Sequence, residues 1–319
     1  MTSSSLIDVV VASVRRETAD VAVFELRSAD GGTLPAFSAG AHIDVHLPNG
    51  MVRAYSLCNP QSERDRYVIG VANSRNGRGG SSYMHAGLAV GDELSISSPR
   101  NNFPLNEEAE HTVLIAGGIG ITPILCMAER LESLGRSWEL VYCARTRAQA
   151  AFIEQLSGDA FAKKVRFVFD GEPGAQMLDI RSLVETMPES THLYCCGPQP
   201  MLDAFEAATA GRPEGTVHLE YFSAKEAPAN EGGFTVRLAR SQKEFRVKQG
   251  ETILDALLEM KVPVSYSCLE GTCGECLTPV LCGTPDHRDV YLSKDEHDAN
   301  DQMTICCSGS KSPLLVLDL

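Results

Sequence analysis

The 319-residue chain has no uninterrupted apolar run near the roughly 18–20 residues that a membrane-spanning helix needs. Its opening residues, Met1-Thr-Ser-Ser-Ser-Leu6, lack the basic start and apolar core of a secretory signal. Positive charge is scarce: 28 Lys and Arg face 42 Asp and Glu, a formal charge of −14 that leaves no basic face for nucleic acid. There is no His-Glu-x-x-His helix, no nucleophile-elbow serine and no internal repeat, which removes the commonest zinc hydrolase, serine hydrolase and solenoid readings. A cytoplasmic protein that binds neither membrane nor nucleic acid is the expectation. In that setting the eleven cysteines are not a disulfide framework.

What is present falls into three segments by hydrophobic rhythm. Residues 1–108 read as short strands, among them Val21–Leu26, His42–Leu47, Tyr67–Val71 and Glu93–Ser97, cut by turns such as Pro48-Asn-Gly50 and Gly91-Asp92. Strands at this interval predict an antiparallel β-barrel. Residues 109–222 alternate apolar runs (112–116, 139–143, 165–169, 193–196, 217–219) with helix-length segments, including 123–134 and 200–210. That alternation predicts a doubly wound parallel sheet. Residues 223–233 have the small, polar, helix-breaking content of a linker. Residues 234–319 then give strand, strand, a helix over 252–260 and a cysteine loop, the order of a small β-grasp ferredoxin module.

The cysteine loop carries the most chemistry. Cys268-x4-Cys273-x2-Cys276, with Cys306 after 29 intervening residues, has the ligand spacing of a plant-type 2Fe-2S cluster. Gly271 and Gly274 let backbone amides approach the sulfurs. The spacing selects Cys306 over its neighbour Cys307. A zinc ribbon would need a second close Cys-x2-Cys pair. Most of the remaining cysteines (58, 126, 143, 195, 196, 282, 307) read as small buried hydrophobes. The eight histidines form no ligand-spaced group, and His287 in Asp286-His-Arg-Asp289 reads as a satisfied surface residue.

This loop, the Asp286–Asp289 segment and the closing Leu314-Leu-Val-Leu-Asp-Leu319 resemble the phthalate dioxygenase reductase family. These are single-chain reductases of Rieske-type oxygenases within the ferredoxin reductase superfamily, and the resemblance spans the chain in the order flavin, nicotinamide, ferredoxin. Arg53-Ala54-Tyr55-Ser56 matches the superfamily's Arg-x-Tyr-Ser flavin motif. A guanidinium suits a flavin phosphate, an aromatic ring can lie against the isoalloxazine, and a hydroxyl can steer the place where hydride arrives. Gly77-Arg78-Gly79-Gly80-Ser81-Ser82 supplies further amides and hydroxyls for phosphate. The resemblance implies FMN, held by this one phosphate, as the flavin.

Gly117-Gly118-Ile-Gly120-Ile-Thr122-Pro123 follows a strand and opens a helix, the context in which amides hold a pyrophosphate. Cys196-Gly197-Pro198 resembles the superfamily's Cys-Gly-Pro signature. The resemblance sets Cys196 beside the nicotinamide as a positioning group, with Glu220 close to the hydride path and Phe222 stacked near the flavin. Arg145 and Arg147 would suit the 2′-phosphate of NADPH, or equally solvent or acidic neighbours; the resemblance favours NADH. The expected function is electron transfer from NADH through FMN to the cluster, and on to a Rieske oxygenase component of aromatic catabolism. Ser56, Cys196 and Glu220 are the residues expected at the hydride step. The alternative is a reductase of the same superfamily serving another acceptor, such as a haem monooxygenase. A zinc-holding binding module is disfavoured by the two nucleotide motifs.

Overall fold

The computed structural model describes residues 6–74 and 79–319. The chain forms two compact units that divide between Glu220 and Tyr221, and the expected 108/109 boundary falls inside the first of them.

The first unit opens with β1 (Ile7–Arg16), β2 (Val21–Ser28), β3 (His42–His46), β4 (Val52–Ser56), β5 (Tyr67–Ala72), α1 (Gly80–Gly87) and β6 (Glu93–Ile96). The strands form an antiparallel sheet in the order β4-β3-β6-β1-β2-β5. A bridge from Leu57 to Ile69 and the Cys58 amide on the Val68 carbonyl (2.9 Å) join its two edges, so the sheet closes into the expected barrel. Closure removes exposed strand edges and leaves an interior filled by Phe24, Leu26, Ile43, Val45, Ile69 and Ile96, all fully buried.

The same unit continues with β7 (Thr112–Gly117), α2 (Ile121–Ser133), β8 (Trp138–Ala144), α3 (Ile153–Leu156), β9 (Val165–Phe169), α4 (Ile180–Glu185), β10 (His192–Cys196), α5 (Gln199–Thr209) and β11 (Val217–Glu220). All five strands are parallel, in the order β11-β10-β7-β8-β9. Every residue of β7 is buried, as expected of a central strand covered on both faces. The chain runs outward from β7 to β9, then returns to β10 on the other side. The crevice beyond the carboxyl ends of β7 and β10 is therefore the topological switch point where such sheets bind nucleotides.

The second unit holds β12 (Thr235–Leu238), β13 (Glu244–Arg246), α6 (Ile253–Glu259), β14 (Leu277–Cys282), β15 (Pro285–Asp286), α7 (Lys294–Ala299), β16 (Gln302–Thr304), β17 (Gly309–Ser310) and β18 (Leu314–Leu317). Its main sheet runs β13-β12-β18-β14-β16, with β12 and β18 parallel and the other pairs antiparallel. That mixed order with α6 packed on it is a β-grasp. Thr252 and Asp255 start α6 with a reciprocal capping box, and Ile253, Leu254 and Leu257 enter a core with Val236, Met303, Ile305, Leu315 and Leu317.

Three features depart from the sequence reading. The glycine-serine segment is not wholly a loop, since Gly80, Ser81 and Ser82 form the first turn of α1, and the preceding Gly77 and Arg78 lie outside the described residues. The expected linker is partly built into the second unit: Ala229 is buried, its amide donates to the Cys307 carbonyl at 2.8 Å, and Glu226 pairs with Arg288 at 2.9 Å. The strand β1 and the helix α7 are additional elements. No helix among the described residues is long and apolar enough to cross a membrane.

Candidate functional site

Register on β4 sets the first cradle. Arg53 pairs with Val45, Ala54 with Asp44, Tyr55 with Ile43 and Ser56 with His42, so alternate residues of the Arg-Ala-Tyr-Ser motif point to opposite faces. Tyr55 is partly covered, and burial pushes its phenol up to about 12, keeping it neutral. Ser56 is buried.

Arg53 meets α1 at Gly80. A Cβ on Gly80 would lie 2.6 Å from both Cγ and Nε of Arg53, so the missing side chain is what lets the arginine cross the helix start. Gly79 enters α1 at φ 82, a conformation that favours glycine, and no side chain among the described residues caps the first amides. A guanidinium beside uncapped helix amides is a fit for one phosphate group. Ser81 accepts the Ser74 amide (3.1 Å) and Ser82 donates to Asn73 (3.2 Å), so both hydroxyls are engaged by the residues that follow β5.

The second cradle lies at the switch point, where glycines bring the two nicotinamide motifs into contact. A Cβ on Gly120 would sit 2.2 Å from the Cys196 carbonyl oxygen, and one on Gly117 would sit 2.6 Å from Cδ of Pro198 and 2.8 Å from Sδ of Met201. Gly197 is equally tight, 2.7 Å from Met201. Gly118, by contrast, has φ 54 and open space beside it, which leaves backbone exposed for a ligand. Met201 was not among the residues singled out from sequence, and its role as the shared neighbour of both motifs has no sequence signature. Thr122 donates to the Ile119 carbonyl (3.0 Å) and packs on Gly70 of β5, so it shapes the loop and ties the parallel sheet to the barrel.

Cys196 and Glu220 end β10 and β11 at paired positions. Burial, then the neighbouring Glu220, pushes the Cys196 thiol well above its ordinary range. Burial likewise raises the Glu220 carboxyl to about 8, and its Oε2 has no hydrogen-bond partner among the described residues. Both groups are thus uncharged at neutral pH. Cys195 faces away from this end and is fully buried, as packing. Arg145 faces Asp170 at 3.6 Å and Arg147 is exposed, so acidic neighbours and solvent account for the two arginines.

In the second unit the sulfur of Cys268 is in hydrogen-bonding contact with Cys273 and Cys306, and Cys306 with Cys276 and Cys307. The amides of Glu270 and Thr272 each point at the Cys268 sulfur (3.4 Å) and that of Glu275 at Cys273 (3.5 Å). Gly271 and Gly274 take φ 68 and 73 to turn these amides inward. Four converging thiols with inward amides fit an anionic iron–sulfur cluster. Cys307 borders the same pocket: its sulfur reaches Cys306, contacts the Thr304 hydroxyl (3.2 Å) and lies against Gly271. Tyr291, not flagged by sequence, lays its ring on Gly274, where a Cβ would fall 2.2 Å from the ring carbon Cζ. Phe222 belongs to this unit and is 41 % exposed. The reading of His287 needs correction: its side chain is 8 % exposed, stacked on His297, and is no surface residue.

Comparison with known proteins agrees with this geometry. Residues 236–310 match the family model described as a 2Fe-2S iron-sulfur cluster binding domain. The chain is 52 % identical to the phenoxybenzoate dioxygenase subunit beta of Ectopseudomonas oleovorans, over 94 % of this chain and 93 % of that one. It is 49 % identical to the tetrachlorobenzoquinone reductase of Sphingobium chlorophenolicum, over 99 % and 98 %. Among solved structures it superimposes on phthalate dioxygenase reductase, described as a modular structure for electron transfer from pyridine nucleotides to [2Fe-2S], with TM-score 0.79, 42 % identity and coverage of 99 % and 98 %. A two-electron nucleotide crevice, a flavin cradle and a one-electron cluster pocket in one chain are the parts such a relay requires. The chain therefore belongs to the phthalate dioxygenase reductase family, oxidoreductases of oxygenase systems that carry electrons from NADH through FMN to a 2Fe-2S cluster.

Proposed function

We propose that this chain is the NADH-driven reductase of a Rieske-type oxygenase and that its electrons leave through the ferredoxin unit. The observation that carries the reading is the four-thiol pocket in the same chain as both nucleotide cradles, together with 52 % identity to a protein named as a dioxygenase subunit. When bound, FMN supplies a centre that accepts two electrons as hydride and releases them singly to the cluster.

The roles of the chain's own residues follow from their surroundings. Arg53, with the amides of Gly79, Gly80, Ser81 and Ser82, would hold the flavin phosphate. Ala54, Tyr55 and Ser56 would line its ring. Gly117, Gly118, Gly120, Thr122, Gly197 and Pro198 would shape the nicotinamide crevice, where absent Cβ atoms leave room for phosphates against backbone. Cys196 and Glu220 would close its end as neutral polar groups. As neutral groups they place no fixed charge beside the donor ring, which passes from neutral to cationic as hydride leaves for the flavin. Cys268, Cys273, Cys276 and Cys306 would ligate the cluster. The protein's contribution is positional, and a cytoplasmic setting suits it.

A second reading draws on the relative named tetrachlorobenzoquinone reductase, in which a quinone takes electrons in place of an oxygenase. The test is anaerobic NADH oxidation with either a Rieske oxygenase or a benzoquinone, by wild type and by Cys276→Ser. The proposed function expects reduction of the Rieske centre that disappears in the variant. Failure to reduce any Rieske partner, with quinone turnover intact in both proteins, would replace it by the second reading.

A further inference from the structure

The segment after β15 carries His287 and Asp289 against His297 of α7, on the side of the ferredoxin unit where Asp289 abuts Gly271 of the cysteine loop. The Asp289 side chain is fully buried and that of His287 is 8 % exposed. Asp289 Oδ1 lies 3.2 Å from His297 Nε2 and 3.8 Å from His287 Nδ1. The two imidazoles stack, with centroids 4.4 Å apart and planes 24° from parallel. One ligating atom from each of the three residues falls within 4.8 Å of the others.

Neither ring nitrogen of His287 has a partner in full hydrogen-bonding geometry among the described residues, although the Asn300 side chain lies within reach of the ring and Lys311 also faces it. A buried ring satisfied this weakly keeps a nitrogen lone pair open to an occupant. The carboxylate is held in place from behind, because Oδ2 accepts the Leu292 amide at 2.8 Å and the Ser308 hydroxyl reaches Oδ1 at 3.5 Å.

We propose that His287, Asp289 and His297 form a binding site for one divalent transition-metal ion of the zinc class, separate from the four-cysteine pocket. Tetrahedral bonds of about 2.0–2.1 Å place ligand atoms about 3.3 Å apart, and the observed 3.2 and 3.8 Å bracket that separation. Two imidazoles and a carboxylate select zinc-like ions over magnesium or calcium, which take oxygen. Burial disfavours the protonated form of His287 and so keeps a lone pair ready. The hydrogen bonds behind Asp289 are the outer support that ligating carboxylates need. Of the groups that face His287, His297 and Lys311 carry opposing charge and Asp289 favourable charge. Bound there, the ion would clamp α7 to the loop that backs the cysteine pocket.

The test uses oxidised holoprotein with FMN and iron in place, incubated with zinc(II), cleared of free metal by gel filtration and assayed for zinc and iron. The expected result is one retained zinc per chain with iron unchanged, and zinc K-edge absorption showing only nitrogen and oxygen neighbours at about 2.0 Å. His297→Ala and His287→Gln should each lower retained zinc by about tenfold or more while keeping iron. No retained zinc in the wild type, equal retention in both variants, or sulfur neighbours at about 2.3 Å with loss of iron would overturn the proposal. Should the buried His287→Gln variant fail to assemble, the wild-type absorption spectrum and His297→Ala, whose side chain is 27 % exposed, still decide.

Discussion

Cys196 and Glu220 stand opposite one another at the carboxyl ends of adjacent parallel strands, and each is kept neutral by the burial they share. An unfolded carboxyl titrates near 4.5 and this one near 8, so between those values the folded chain holds the proton more tightly. Stability therefore falls as pH rises through that window and is level above it. Glu220→Gln should flatten the slope and gain stability at pH 8 on the order of a few kcal/mol relative to wild type. In stopped-flow work, the rate of wild-type flavin reduction by NADH should change as pH rises through about 8 and the carboxylate forms. That titration should be missing in Glu220→Gln, and its persistence there would remove Glu220 from the hydride step.

Gly120→Ala tests the contact between the two nicotinamide motifs. Its Cβ would collide with the Cys196 carbonyl oxygen, which is backbone and has little room to yield. Overpacking of this kind costs about 1–3 kcal/mol, here expected as a roughly ten- to hundredfold rise in the NADH dissociation constant. Flavin content should be unchanged, because the barrel is untouched. NADH titration of the oxidised and apoflavin forms checks both points.

Arg53→Ala should act on the other cradle. Hydrogen bonds to a charged group contribute about 1.5–3 kcal/mol, so FMN affinity should fall by about ten- to hundredfold with the ferredoxin unit still loaded. Arg53→Lys should recover only part of it, since a point charge does not reproduce the fork. Fluorescence of released FMN on dilution measures the loss.

Cys306→Ser should abolish or strongly alter the paramagnetic signal of the reduced cluster, whereas Cys307→Ser should preserve it. The geometry favours this split because Cys306 touches both Cys268 and Cys276, while Cys307 reaches the group only through Cys306 and otherwise contacts Thr304 and Gly271. The reverse pattern would move the fourth ligand to Cys307.

Much of this was legible in the sequence, for local reasons. Strand β9 coincides with the run read at 165–169, and α2 and α5 lie within two residues of their expected bounds, because apolar periodicity and helix-start prolines are properties of neighbours along the chain. The cysteine loop was legible because ligand spacing is written in order. Helix α1 was not: Gly80, Ser81 and Ser82 are poor helix formers, and tertiary contacts hold the helix, with Met84 fully buried and His85 Nε2 2.8 Å from the Val71 carbonyl. His287 escaped because nothing along the chain says that a histidine between an aspartate and an arginine will be buried against a residue ten places on. The start of α7 had a readable signature in Ser293-x-x-Glu296, whose reciprocal cap the structure contains.

The hydrogen bond from Ala229 to the Cys307 carbonyl bears on where this chain can be cut or spliced. A boundary drawn by secondary structure would fall at Thr235, the first strand residue of the second unit. Such a cut would discard a strut anchored one residue from Cys306, a proposed cluster ligand, and with it the Glu226–Arg288 pair. A chimaera that exchanges electron-exit modules between reductases should therefore be joined between Glu220 and Glu226, so that the incoming module brings its own leading strap.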